Sequence, residues 1–87
     1  MSDRRLARDE IGNRGVAIYE SKLRSLLEPQ CRGQFVAIDV ETEDYEVAVE
    51  GHEASDRLRQ RHPAAQVLVE RIGYPAAFFA RRTGWSR

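Results

Sequence analysis

Gly33 to Glu50 reads GQFVAIDVETEDYEVAVE, and the fold turns on how this stretch divides. Phe35-Val36-Ala37-Ile38-Asp39-Val40 is almost unbroken apolar sequence, the pattern of a strand covered on both faces. Tyr45, Val47 and Val49 then alternate with Glu46, Ala48 and Glu50, the period of a strand with one wet face. Glu41 to Asp44 lies between them as a turn. A β-hairpin is expected, with strands over 34–40 and 45–50 and the first of them central in its sheet.

Working outward, residues 14–28 place Val16, Tyr19, Leu23 and Leu26 at three-to-four spacing, with Leu27 widening the stripe. That is an amphipathic helix. Pro29 is expected to end it, because the residue before a proline avoids the α region. In residues 1–13, Leu6, Ala7 and Ile11 extend the pattern. Gly12 and Gly15 each weaken a helix by about 1 kcal/mol relative to Ala, so fraying or a break is expected near Ile11–Gly15. Asn13 is then the expected N-cap.

After the hairpin, residues 53–61 form a two-turn helix with Ala54 and Leu58 inward. Its acids come early and its arginines late, which suits the helix dipole. Residues 66–72 read as a third strand, Gly73-Tyr74-Pro75 as a turn, and 76–81, with Phe78-Phe79, as a fourth strand pairing back on the third. Residues 82–87 are a tail. The order α-β-β-α-β-β gives one small α+β domain over 1–87, with one mixed β-sheet and helices packed on one face. The second helix crosses over between the second and third strands, which makes those two parallel in direction.

The chain has 87 residues, 41% apolar and 32% charged, a balance that fits a globular domain rather than a disordered chain. A domain this small buries only about 60% of its unfolded surface, so its stability is marginal or shared with a partner. Cys31 stands alone, which excludes an internal disulfide and a cysteine zinc cluster. No apolar run approaches a membrane span, and Met1-Ser2-Asp3-Arg4-Arg5 does not open a signal peptide. The cytoplasm is the expected compartment, with no membrane partner.

Net charge is zero but segregated. Residues 1–32 are +2, residues 33–56 carry eight acids and no base, and residues 57–87 are +6. Blocks of this kind steer partners. The simplest reading is a solvated acidic hairpin facing the chain's own arginines.

Asp39-Val40-Glu41-Thr42 resembles the first motif of the DEDD-type exonucleases, in which a strand-end Asp-x-Glu-Thr binds metal. Residues i and i+2 on a strand share a face, so Asp39 and Glu41 could share an ion. Two-metal hydrolysis needs further carboxylates, and after Asp56 only Glu70 remains. His52 and His62 flank the short helix ten residues apart and are read as helix-end or surface residues. Cys31 has no nominated base. In the last third, Arg71, Arg81, Arg82 and Arg87 are interleaved with Tyr74, Phe78, Phe79 and Trp85, a pattern that can bind single-stranded nucleic acid. The neutral whole-chain charge makes this the lesser reading.

Arg14-Gly15, Ile18-Tyr19-Glu20, Gly33 through Glu46, Ala54-Ser55-Asp56-Arg57-Leu58 and Arg71-Ile72-Gly73-Tyr74 together resemble the pattern of a family of small uncharacterised bacterial proteins with a GKFVAIDxETGxYE-type signature. The resemblance spans roughly residues 14–80. It implies a small αβ domain and no catalytic residue. Gln34 stands where the family pattern has Lys, and Glu43 where it has a turn Gly. If that position needs φ above zero, Glu there costs on the order of 1 kcal/mol, and the turn is expected to be remodelled.

The function expected is that of a non-enzymatic protein-interaction or accessory module, antitoxin-like, with no cofactor, no metal and a protein partner. Its candidate contact surface is Tyr19, Leu23, Leu26, Asp39, Glu41, Glu43, Asp44, Arg71, Arg81 and Arg82. A homodimer through helix 14–28 is one form of that expectation. Nucleic-acid binding by the basic last third and metal-dependent hydrolysis at Asp39 and Glu41 are the alternatives.

Overall fold

A computed structural model describes residues 6–74. The expected strand at 76–81, the tail at 82–87, and Arg81 and Arg82 lie outside the described residues, as do residues 1–5. The apolar stretch forms β1 (Phe35–Asp39), the alternating one forms β2 (Tyr45–Ala48), and Val67–Arg71 forms β3. The sheet order is β2-β1-β3, which puts the most apolar strand in the centre, as its composition requires. Both neighbours are antiparallel to β1, with Val36 opposite Val47 on one side and Glu70 on the other. β2 and β3 therefore run parallel in direction with β1 between them. The α+β domain is thus as read, but among the described residues the sheet is antiparallel rather than mixed.

Helices cover both faces, not one. Val36, Ile38 and Leu68 pack with Ile18, Tyr19, Leu23 and Leu27 of the long helix. Ala37 and Ala48, with Val67 and Val69 alongside, pack with Ala54 and Leu58 of α3 (Gly51–Arg61). The reason lies in β1: a strand apolar at successive positions has two faces to bury, and one layer of helix covers only one.

The long helix runs without a break as α1 (Arg8–Ile18), a π turn (Tyr19–Leu23) and α2 (Arg24–Cys31). The break expected near Ile11–Gly15 is absent, and Asn13 is an exposed mid-helix residue rather than a cap. Instead Glu10 Oε1 accepts the Ala7 N–H at 2.9 Å. Gly12 and Gly15 are buried. A Cβ on Gly15 would stand 2.7 Å from Leu68 Cβ and 3.0 Å from its Cγ, so the missing side chain is what lets helix and strand approach. Propensity loses here to packing.

The π turn has a similar cause. Gly15, Tyr19, Leu23 and Leu27 are all buried at four-residue steps. In an α-helix each such step drifts by about 40°, and a wider turn corrects the drift. The Arg24 N–H accordingly donates to the Tyr19 carbonyl, one residue further back than in an α-helix. Nor does Pro29 end the helix, which continues to Cys31. Its missing N–H faces the Ser25 carbonyl, and both residues are exposed, so water can satisfy that oxygen. The chain then turns at Gly33, whose φ of 93° is open to glycine, and the Gly33 N–H donates to the Ile72 carbonyl.

Candidate functional site

The acidic tip is built around Asp39, the last residue of β1. The residue is 2% exposed. Oδ1 accepts the Glu41 N–H at 3.0 Å, and Oδ2 accepts the Thr42 hydroxyl at 2.9 Å. Its main chain closes the same loop, accepting Glu43 N–H at 2.7 Å and donating to Asp44 O at 2.9 Å. Asp39 therefore acts as an Asx-type turn former. Asp39 and Glu41 do not share a strand face, as the alternative of a common ion would need. β1 ends at Asp39, so strand alternation never reaches Glu41, which points to solvent in the turn. No group of three His, Cys, Asp or Glu among the described residues is placed to hold a metal ion.

Glu43 takes φ of 70°, so the turn keeps the left-handed residue and is not remodelled. Its carboxylate pairs with Lys22 on the long helix. Asp44 meets the other end of the molecule. It pairs with Arg61 and with His62 Nε2, the latter at 2.9 Å, and accepts the Tyr45 N–H. The His62 ring, helped by the Tyr45 N–H and Arg61, holds the Asp44 carboxyl below its usual value. Arg61 also bonds Glu46 at 2.6 Å. The acidic block thus faces the chain's own basic groups, which was the simplest reading of the charge pattern.

Those arginines do a second thing. Arg61 donates to the Tyr45 carbonyl at 3.2 Å, and Arg57 to the Val47 carbonyl at 3.5 Å. Tyr45 and Val47 are the β2 residues whose carbonyls point away from β1, so α3 caps the outer edge of that strand. The other edge differs. Val40 N–H bonds Gln66 O, and Ile72 N–H bonds Gln34 O. Alternation then turns Leu68 and Glu70 toward β1, and Val67, Val69 and Arg71 outward. The Arg71 carbonyl accepts the Tyr74 N–H. Among the described residues, the outward N–H and C=O of Val67 and Val69 meet no such cap.

The remaining candidates separate by burial. Tyr19 is fully buried and Leu23 nearly so, both against their own sheet, so neither belongs to an exposed contact surface; Leu26 is 49% exposed. A dimer along helix 14–28 would have only the Leu26 side to use, because the stripe is already covered. The Tyr19 hydroxyl donates to Glu28 Oε2 at 2.9 Å and accepts the Gly73 N–H at 3.2 Å. Burial, with Glu28 beside it, pushes the phenol above its ordinary value. Arg71 lies over the rings of Tyr74 and Phe35, 4.7 and 5.9 Å from their centroids, and its Nε donates to Gly33 O.

One residue was missed. Glu70 on β3 is 3% exposed, and among the described residues neither carboxylate oxygen has a hydrogen-bond partner. Burial, with the Glu20 carboxylate nearby, pushes its pKa up to about 7. The signal was present: Leu68, Glu70 and Ile72 share a face by period two, and the first and last are buried.

Compared with protein-family models, with curated proteins and with solved structures, this chain matches none. No helix among the described residues is long and apolar enough to cross a membrane.

Proposed function

We propose that this chain is a non-enzymatic protein-interaction module, an accessory or antitoxin-like partner of another protein, and that it takes up a partner's strand along the outer edge of β3. The observation that supports this is the asymmetry of the sheet. The β2 edge is capped by Arg57 and Arg61, while the outward main-chain groups of Val67 and Val69 are left open among the described residues. Unpaired strand edges recruit other chains, and proteins that must not aggregate cover them. A strand added at this edge satisfies those groups and gains specificity from side chains on alternate faces. The half-buried Val67 and Val69 give it an apolar lip on the α3 side.

The test is co-purification from the native host with Val67→Pro against wild type. Proline removes the outward N–H of residue 67 without touching the ladder to β1. A partner retained by wild type and by Leu26→Glu but lost on Val67→Pro is the expected result. A partner held equally by folded Val67→Pro, or one lost only on Leu26→Glu, refutes the edge as the docking site. A wild-type chain that stays alone and monomeric refutes the interaction role.

A further inference from the structure

Glu70 is in a position that folded proteins rarely leave uncompensated. Its two oxygens are buried and accept no hydrogen bond from any of the described residues. The residues in its row across the sheet are Val36 and Val47, which carry no polar atom on their side chains. The ionisable groups facing it come from the long helix, Tyr19 and Glu20. Tyr19 already donates its proton to Glu28, and Glu20 carries like charge. Among the described residues no group stabilises a charged carboxylate here, and both burial and Glu20 oppose it.

The place where such a charge would find relief is set by the fold. Glu70 bonds to β1 through its backbone, so exposing it by peeling β3 away breaks ladder hydrogen bonds. Lifting the long helix breaks side-chain packing and side-chain hydrogen bonds, among them that of the Gly73 N–H to the Tyr19 hydroxyl, but leaves the ladder whole. The seat of that helix on β3 is Gly15 against Leu68, one step along the same face as Glu70. The less costly opening is therefore the helix leaving the strand.

We propose that Glu70 is a proton-operated latch: the neutral carboxyl lets the long helix seat on β3, and loss of its proton loosens that seat. This inference stands apart from the docking role of the β3 edge. Its sign follows from linkage. The folded protein binds the Glu70 proton more tightly than the unfolded chain, so stability from this residue is complete in acid. It falls as pH rises from the ordinary carboxyl value of 4.5 to about 7, then levels off. Across that window the unfolding equilibrium constant rises about tenfold per pH unit, roughly 300-fold in all.

The experiment uses the full chain and follows urea unfolding and amide hydrogen exchange from pH 4 to 8, in wild type, Glu70→Gln and Glu20→Gln. Wild type is expected to show the rise. Exchange of the α1 amides, corrected for its intrinsic pH dependence, should accelerate with it, ahead of the β3 amides that stay bonded to β1. Glu70→Gln cannot ionise and should lose the slope, and Glu20→Gln should keep it while ending it at lower pH. A carbon-13 titration of the Glu70 carboxyl in wild type keeps the test open if a variant fails to fold. A midpoint near 7 supports the latch. A midpoint near 4, or equal slopes in wild type and Glu70→Gln, overturns it.

Discussion

Replacing Gly15 with alanine sets two effects of opposite sign against each other. Intrinsic propensity favours alanine inside a helix by about 1 kcal/mol, so a helix without tertiary constraint at that point would be stabilised. The structure adds a contact. The new Cβ would lie 2.7 Å from Leu68 Cβ and 3.0 Å from its Cγ, and closer still to Cδ2. A rotamer change moves Cδ2 and Cγ, but Leu68 Cβ is fixed to a strand hydrogen-bonded to β1. The helix itself must back away, opening the packing around Ile18 and Leu68. Overpacking of this kind costs about 1–3 kcal/mol, and more where backbone must shift. The expected net is a loss of up to about 2 kcal/mol, the overpacking cost less the propensity gain. For a domain of this size that is a Tm lower by up to about 16 °C. The assay is thermal and urea unfolding followed by circular dichroism, on Gly15→Ala, Leu68→Ala and the double variant. The double variant should be more stable than the sum of the singles predicts, since Leu68→Ala removes two of the three crowded atoms. A Gly15→Ala protein that melts higher than wild type would refute the close approach.

Three further outcomes follow from the hairpin and its latches. Glu43→Gly should stabilise the chain by up to about 1 kcal/mol in urea melts, from relief of a left-handed residue, less whatever the exposed Lys22 pair contributes; Glu43→Val should destabilise it. Asp39→Ala removes the acceptor for the Glu41 N–H and Thr42 hydroxyl and should cost about 1–3 kcal/mol, whereas Thr42→Ala, which removes the donor to Asp39 and the acceptor of the Asp44 N–H at an exposed position, should cost less. Asp44 has a depressed folded pKa, so its stabilisation is present above the ordinary value of 3.8 and is lost as pH falls through the lower folded value. Asp44→Asn should flatten the acid limb of the stability profile, and an unchanged limb would show that its pairs contribute nothing in solution.

The hairpin and α3 were legible because their signals are local. Alternation at Tyr45–Ala48 and the Ala54–Leu58 pair depend on period alone, and both appear where the periodicity puts them. The long helix was misread at both ends because the deciding partner is remote in sequence. Gly15 looks like a breaker until Leu68 is placed against it. Pro29 looks like a stop until Ser25 is seen to face water. Asp39 and Glu41 resembled a metal pair because strand alternation was carried two residues past the end of the strand. The two-sided cover of the sheet was implicit in the continuous apolar run of β1, but the connectivity alone favoured the simpler one-sided arrangement.

The π turn makes the long helix sensitive to counting. It acts as one extra residue within an otherwise α-helical rod, at Tyr19–Leu23. Deleting one residue there would let the rod close into a regular α-helix with the segments on either side still in phase. A deletion in Arg24–Cys31 has no such slack: it turns the segment before it by about 100° round its own axis, carrying Gly12 and Gly15 away from β3. Such a frame change alters no side chain in the sheet and removes no charge. It would nonetheless unseat the N-terminal half of the helix, so a single-residue deletion should be far better tolerated between Tyr19 and Leu23 than in Arg24–Cys31.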